Sequence, residues 1–192
     1  MSIRVAESAG FCFGVNRAVE TVQKQAAEGK QVVTLGPIIH NRHVVDKFQS
    51  IGVGVIETPE DAPAGSTVII RSHGVSRDIC RRLEKQGVEV VDATCPYVGK
   101  IHRIVARESA DGRVVFIAGD ANHSEVKGIA GHVNGRYYVF ATPEEMEQIL
   151  EKEPELAQTP VSMVAQTTFN ATSWQKFQEN FKKLYTNGKF FD

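Results

Sequence analysis

Three pairs of unlike features recur in this chain at almost the same separation. The pairs, 83 or 84 positions apart, are Cys12 and Cys95, His40 and His123, and the turn sequences Thr58-Pro59-Glu60 and Thr142-Pro143-Glu144. A common spacing for a cysteine, a histidine and a helix-capping turn is what a duplicated structural unit leaves in a sequence. This repetition constrains the fold strongly, because the second half must form whatever the first half forms.

Each copy is predicted to be an α/β unit with a mostly parallel sheet. Short β-branched or aromatic runs alternate with apolar positions at helical spacing, and parallel strands need such helical crossovers. The predicted strands lie at residues 3–6, 31–35, 67–70, 89–91, 113–118, 137–140 and 161–165. We therefore expect two duplicated units at residues 13–95 and 96–192, preceded by an N-terminal strand and turn at 1–12.

The second cysteine lies at the middle of the chain, between a predicted strand and a predicted helix. Residues 89–91 are expected to form a short buried strand, and Pro96 suits the first turn of a helix. The free backbone N–H groups and the dipole at a helix start favour a thiolate, so Cys95 is a candidate metal ligand or nucleophile. The alternative is a cysteine that packs as a small hydrophobe, which is the usual role of a lone cysteine.

The first cysteine has the same setting, which favours a functional role for both. Cys12 follows the strand predicted at 3–6 and precedes a predicted helix that ends at Gly29. Cys80, in contrast, lies on or beside an apolar stripe in the middle of a predicted helix. We expect Cys80 to be structural.

Three histidines are candidate ligands of a small anion. His40, His73 and His123 each follow a predicted strand, and open α/β sheets bind ligands beyond the carboxyl ends of their strands. Glu125 is a candidate acid two residues after His123, and Thr167 has in the second unit the place that His73 has in the first. For single residues the alternatives are a hydrogen-bonded structural histidine and an acid that stabilises the first turn of a helix.

Composition excludes several classes of partner. The 22 Lys and Arg residues balance 23 Asp and Glu residues, which leaves no basic field for nucleic acid or for a membrane surface. No apolar run approaches the roughly 20 residues that a membrane span needs, and the first residues lack a signal sequence. Three cysteines without a local pair fit a reducing compartment, so we expect a cytoplasmic protein with a small-molecule ligand.

The end of the chain repeats the approach to the second cysteine. Lys189-Phe190-Phe191-Asp192 is similar to Val90-Val91-Asp92, which stands shortly before Cys95. If the unit begins a third time, we expect a third cysteine a few positions beyond Asp192, within a trefoil-like architecture of three units. Three thiolates with one open position suit an iron–sulfur cluster or a catalytic zinc ion.

Six motifs taken together resemble those of the 4-hydroxy-3-methylbut-2-enyl diphosphate reductases. In order, they are Gly10-Phe11-Cys12-Phe13-Gly14-Val15, Gly36-Pro37-Ile38-Ile39-His40-Asn41, Ser72-His73-Gly74-Val75, Asp92-Ala93-Thr94-Cys95-Pro96, His123-Ser124-Glu125-Val126 and Gln166-Thr167-Thr168. The resemblance covers residues 1 to 192, with two departures: Ser124 stands where that family often has proline, and the family's third unit is absent. It implies a fragment of an enzyme of non-mevalonate isoprenoid synthesis that forms isopentenyl and dimethylallyl diphosphate.

The resemblance also implies a cofactor and an electron donor. It makes Cys12 and Cys95 ligands of a [4Fe-4S] cluster whose third cysteine lies beyond residue 192. Electrons are then expected from a donor such as a ferredoxin or a flavodoxin. Because two thiolates are fewer than the cluster needs, we expect this fragment alone to hold no stable cluster and to be inactive.

The resemblance assigns the other candidate residues to the substrate. It implies that the diphosphate is bound by three histidines, His40, His73 and His123. It further implies that Glu125 supplies protons and that Thr167 organises the substrate alcohol. On the residues alone, two other functions stay open: a non-catalytic diphosphate-binding module with bare cysteines, and a zinc hydrolase with Glu125 as general base.

Overall fold

The structure of the protein is a computed structural model that describes residues 3–7, 9–185 and 188–191. It has the α/β class predicted from the sequence. The chain divides into two compact units: unit 1 comprises residues 1–72 and 82–96, and unit 2 comprises residues 73–81 and 97–192.

The domain boundaries predicted from the sequence, at 1–12, 13–95 and 96–192, stay a prediction. Asp192, the residue predicted to correspond to Asp92, lies outside the described residues. Among the helices that the structure describes, none has both the length and the apolar character needed to cross a membrane.

The helices and strands alternate along the chain. The first half contains α1 (Phe13–Ala27), β1 (Val32–Leu35), α2 (Arg42–Ser50), β2 (Gly54–Ile56), β3 (Thr67–Ile70), α3 (Arg77–Gln86) and β4 (Glu89–Asp92). The second half contains α4 (Pro96–Ala110), β5 (Val114–Ala118), α5 (Ser124–Ala130), β6 (Tyr137–Phe140), α6 (Pro143–Lys152), β7 (Val161–Ala165), α7 (Ala171–Leu184) and β8 (Lys189–Phe190).

In unit 1 the strands pair in the order β2-β1-β3-β4, and each pairing is parallel. Every residue of β1 and β3 is buried, as is typical of inner parallel strands that are covered on both faces. The apolar stripes of α1 and α2 supply Ala18, Val22 and Phe48 to a core that also contains Val32 and Ile69. The carboxyl ends of the strands therefore meet at one edge, from which the loops with the candidate residues start.

In unit 2 the strands repeat this arrangement, in the order β6-β5-β7-β8 with parallel pairings. Successive residues of β5 enter different core clusters, Phe116 one and Ile117 the other, because neighbouring side chains of a strand point to opposite faces. The cluster with Phe116 is aromatic, and the ring centroid of Phe116 lies 5.2 Å from that of Phe181. The predicted duplication is thus visible in two sheets with the same strand order.

Two predictions about strands were wrong. Residues 3–6 form no strand, and Ile3 and Val5 are 92% and 79% exposed. A strand needs a partner for its backbone hydrogen bonds, and no described strand pairs with this segment. The strand β4, which was expected to be buried, is largely exposed, with Val90 at 37%, because it is the outer strand of its sheet.

The two Thr-Pro-Glu turns both form caps, but only the second begins an α-helix. In unit 1 the hydroxyl and the N–H of Thr58 donate to Asp61 at 2.8 and 2.9 Å, and only a three-residue 3-10 turn follows. Pro63 stops this turn, since proline in a helix removes an N–H and clashes with the preceding turn. In unit 2 the Thr142 hydroxyl accepts from the Glu145 N–H at 3.3 Å, and α6 continues for ten residues.

One buried carboxylate joins the amino ends of the unit 2 strands. The side chain of Glu108, on α4, is 1% exposed. It accepts hydrogen bonds from Arg107 at 2.8 Å, from Lys189 at 3.0 Å and from the Ser162 hydroxyl at 3.0 Å. Burial by itself raises the pKa of this carboxyl, but the bonds from Lys189 and Arg107 outweigh burial and hold the pKa below its usual range.

We predict that Glu108→Gln lowers the free energy of unfolding by about 2 kcal/mol at neutral pH, because charge-assisted hydrogen bonds are lost from a buried group. A lowered native pKa means that this stabilisation is present above the unfolded pKa of about 4.3 and is lost as the pH falls through the native value. Urea unfolding of both proteins should therefore give curves that differ near neutral pH and converge in acid.

The matched control is Glu147→Gln, which removes an exposed carboxylate on α6. This variant should unfold like the parent protein, since substitutions at exposed surface positions usually change the free energy of unfolding little. If Glu108→Gln lowered the free energy of unfolding equally at neutral and acid pH, the ionised carboxylate of Glu108 would not be the source of the stabilisation.

Candidate functional site

Cys12 and Cys95 come together in unit 1, at the first turn of α1. Cys12 is the N-cap residue of this helix. The Cys95 thiol lies against the same turn, because a Cβ added to Gly14 would fall only 2.5 Å from Cys95 Sγ. Cys12 is exposed, Cys95 is partly buried, and neither forms a disulfide. The two candidate metal ligands, 83 positions apart in sequence, are therefore neighbours at one helix start.

Bonds from two sides fix the backbone that leads to Cys95. Arg17, on α1, donates to the carbonyls of Thr94 and Asp92 at 2.8 and 3.3 Å. The Cys95 N–H donates to the Ser72 carbonyl, beyond the end of β3, at 2.9 Å. No role was predicted for Arg17 from the sequence, because its partners Thr94 and Asp92 lie more than 70 positions away.

His40 stands at the end of a loop that a glycine and an arginine shape. Gly36, directly after β1, has φ +69°, and Nη1 of Arg71 lies 2.5 Å from where a Cβ would be, so only glycine fits there. Burial lowers the pKa of Arg71, and the charge of Glu57 acts in the opposite direction. Asn41 caps α2 by accepting an N–H of its first turn at 3.3 Å, and His40 before it is exposed.

In unit 2 the imidazoles of His73 and His123 lie edge to face, with ring centroids 5.4 Å apart and planes at 88°. His123 is the N-cap of α5, and its Nδ1 accepts the N–H of Glu125 at 3.1 Å. A ring nitrogen that accepts carries no proton, so the proton of a neutral His123 is on Nε2. The cap therefore makes Nε2–H the ring donor of a neutral His123.

Glu125 and Thr167 form a closed pair in unit 2. The Glu125 side chain is buried, with 2% of the residue exposed, and its two oxygens accept the Thr167 N–H at 2.6 Å and the Thr167 hydroxyl at 2.8 Å. Thr167 lies just beyond β7 and is exposed, whereas Glu125 lies in the first turn of α5. The hydroxyl of exposed Thr167 therefore links the buried Glu125 carboxyl to the surface by a hydrogen bond.

The side chain of Gln166 forms hydrogen bonds to both loops that position this pair, the loop after β5 and the loop after β7. Its side-chain oxygen accepts the Asp120 N–H at 3.2 Å, and its amide nitrogen donates to the Thr168 hydroxyl at 2.8 Å. The same side chain lies over Gly119, where an added Cβ would be 2.9 Å from the Gln166 oxygen and 2.8 Å from Val126. Gln166 belongs to the motif Gln166-Thr167-Thr168, but no role was predicted for it from the sequence. Its position after a buried strand was the signal.

The described contacts define the chemistry that each unit offers. Unit 1 provides two neighbouring thiols beside the first turn of α1. Unit 2 provides imidazole donors beside a carboxyl–hydroxyl pair, which suits a ligand that combines an anion with an alcohol. Cys80, expected to be structural, is a half-buried residue in the first half of α3.

Comparison with known proteins finds relatives that match along the whole chain. The family model described as LytB protein matches residues 3–192. A 4-hydroxy-3-methylbut-2-enyl diphosphate reductase of Thermoanaerobacter sp. (strain X514) is 41% identical over 196 residues, which cover 100% of this chain and 66% of that protein. The chain spans about half to two thirds of the length of the curated relatives it matches.

Solved structures give the same assignment. The structure of (E)-4-hydroxy-3-methyl-but-2-enyl diphosphate reductase, the terminal enzyme of the non-mevalonate pathway, is 37% identical with a TM-score of 0.83, and the match covers 98% of this chain and 66% of that one. The corresponding reductase of Plasmodium falciparum is 26% identical with a TM-score of 0.86, over 96% of this chain and 57% of that one. The resemblance inferred from six motifs is confirmed: this chain belongs to the LytB protein family.

Proposed function

We propose that this chain supplies substrate-binding and proton-transfer residues for the reductive dehydroxylation of 4-hydroxy-3-methylbut-2-enyl diphosphate to isopentenyl and dimethylallyl diphosphate. Relatives named for this reduction match the whole chain, which supports the reaction. The chain spans 66% of the length of each of these two relatives. The reaction is therefore proposed for a full-length protein of this family, to which this chain contributes the residues described above. A cytoplasmic location is part of the proposal, since unpaired thiols suit a reducing compartment.

The observation that carries the proposal is the buried pair of Glu125 and Thr167. An allylic hydroxyl leaves readily only as water, so the reaction needs a proton donor beside the alcohol. When Glu125 is ionised it accepts a hydrogen bond from the Thr167 hydroxyl, and the threonine oxygen accepts one in turn from the substrate alcohol. When Glu125 is protonated it donates to Thr167, whose own proton then turns outward to the leaving oxygen.

The histidines are proposed to bind the diphosphate. Nε2–H of His123 points away from the capping bond and is a donor for an anion, and the ring of His73 lies beside it. His40 is proposed for the same role from its position in unit 1, exposed at the end of the loop after β1. Hydrogen bonds to a charged partner are the stronger class, which suits binding of a phosphate group by imidazoles.

Cys12 and Cys95 are proposed as ligands of a [4Fe-4S] cluster. Such clusters are held by thiolates, and Gly14 leaves the Cys95 sulfur the space beside the N-cap Cys12. A third cysteine ligand is expected outside these 192 residues, and a ferredoxin or flavodoxin is the expected electron donor. When bound, the cluster supplies the electrons of the reduction one at a time.

The alternative of a zinc hydrolase has weaker support. A general base must reach the water that it activates, but Glu125 is 2% exposed and both of its oxygens accept from Thr167. In the alternative of a non-catalytic diphosphate-binding module, the cysteines bind no metal. Measurement of the iron content separates the two functions, because only the proposed reductase binds iron.

We predict that iron binding depends on Cys12 and Cys95 and not on Cys80. The chain should be joined to the remaining C-terminal third of the Thermoanaerobacter relative and reconstituted anaerobically. Cys12→Ser and Cys95→Ser should then each lose most of the iron and the visible absorption, because each removes a thiolate ligand. Cys80→Ser is the control and should keep both. The 192-residue chain alone should bind little iron, and full cluster content and turnover in it would contradict the ligand count.

We predict that His123→Asn weakens binding of inorganic diphosphate by about tenfold or more, the effect of losing one hydrogen bond to a charged group. Asparagine preserves the helix cap, since its side chain also accepts an N–H of the first turn, so the change isolates the loss of Nε2–H. Calorimetric titration measures the affinity. His43→Asn, at an exposed position of α2, should bind like the parent chain. Equal affinity in His123→Asn would remove His123 from the anion site.

We predict that Glu125→Gln lowers the turnover of the joined protein by about 100-fold or more while the KM for substrate changes little. The amide keeps the volume and the bond from the Thr167 N–H but has no proton to deliver, and general acid catalysis contributes about this much. Steady-state reduction of the diphosphate substrate is the measurement, with exposed Glu147→Gln as the control. A larger effect on KM than on turnover would show that Glu125 serves binding instead.

A further inference from the structure

The loop that carries His73 is fastened at its far side by the end of α5. Nε2 of His132 lies 3.0 Å from the Val75 carbonyl oxygen, and the Arg77 N–H donates to the Gly131 carbonyl at 3.4 Å. A carbonyl oxygen can only accept, so Nε2 of His132 carries the proton and donates it. Val75 stands two residues after His73, and these bonds therefore fix the backbone from which the His73 ring projects.

A second imidazole holds His132 in the orientation that this bond requires. His102, on α4, is 7% exposed and stacks on His132 with ring centroids 4.1 Å apart and planes within 18° of parallel. Rotation of the His132 ring would break this face-to-face packing. The stack therefore fixes the plane of the His132 ring, and the bond to the Val75 carbonyl sets the orientation of Nε2 within that plane.

Helix α5 packs directly against the loop, and the residue that caps its C-terminal end must be glycine. A Cβ added to Gly128, within the helix, would lie 3.5 Å from the His73 carbonyl oxygen and 3.4 Å from Nε2 of His102, at ordinary van der Waals distance. A Cβ at Gly131 would overlap the Ser76 side chain. The helix that begins with His123 and Glu125 thus also supports His73 at its other end, within seven residues.

We propose that His132, backed by His102, is a positioning residue for His73. We call the two residues the histidine clamp. The clamp fixes the backbone carbonyl of Val75 and, through it, the distance between the rings of His73 and His123. This inference rests on the proposed binding of diphosphate by His73, and it adds two histidines that are not expected to touch the anion themselves.

Variants of His132 separate its donor from its stacking surface. His132→Phe keeps an aromatic ring on His102 but removes the N–H, whereas His132→Gln supplies an amide donor without the ring. If the donor positions His73, inorganic diphosphate should bind about fivefold more weakly to His132→Phe, the effect of one ordinary hydrogen bond, and within about twofold of the parent to His132→Gln. His132→Asn, whose shorter amide does not reach Val75, is a second variant that should behave like His132→Phe.

A double-mutant cycle tests whether the effect passes through His73. The affinity for diphosphate is measured by calorimetry in the parent chain and in His73→Asn, each with and without His132→Phe. A positioning role requires that His132→Phe weakens binding in the parent and adds almost nothing when His73 is already absent. Equal weakening in both backgrounds, or no weakening in the parent, would overturn the proposal. His43→Phe is the control for loss of an exposed histidine.

The imidazole NMR signals of the ligand-free chain give a readout that does not need diphosphate. The His73 ring signals should shift in His132→Phe and return toward the parent values in His132→Gln. Unchanged His73 signals in His132→Phe would refute the clamp. If the parent chain binds no diphosphate, the proposed anion site fails, while the His73 signals still decide whether the clamp positions this ring.

Discussion

Parallel strand pairing is the constraint on which the rest of this structure depends. Strands that run in one direction bring all their carboxyl ends to one edge of the sheet, and the returning helices must start or end there. In unit 1 this geometry gathers the turn after β4 and the start of α1, with Cys95 and Cys12. In unit 2 it gathers the loops after β5 and β7, with the Glu125–Thr167 pair.

Much of the fold follows from the sequence because its local signals agree with each other. The strands predicted at 67–70, 137–140 and 161–165, which are rich in β-branched or aromatic residues, match β3, β6 and β7 in both bounds. The offset of 83 positions between the cysteines and between the histidines predicts two sheets with one strand order. A signal that recurs in two independent stretches is more reliable than either stretch alone, since chance rarely repeats a spacing.

The errors arise where a partner in space, and not the local sequence, decides the outcome. Val90 and Val91 have the composition of a buried strand, but β4 is an outer strand of its sheet. The position of a strand in its sheet cannot be predicted from the residues of that strand alone. The segment at 3–6 alternates like a strand, yet the described residues offer it no neighbour. For the same reason Arg17 was not predicted as a supporting residue, and His132 was expected to have only a surface or packing role, because the partners of both are distant in sequence.

The close approach of the Cys95 sulfur to Gly14, where an added Cβ would lie 2.5 Å from Sγ, makes the site sensitive to a position without any chemistry of its own. A single added methyl group there would force the sulfur to move from its place beside the first turn of α1. In a lineage that no longer uses the site, the first visible sign of decay therefore need not be a missing cysteine. It can equally be an alanine two residues after Cys12, in a chain that still carries every side chain of the reaction.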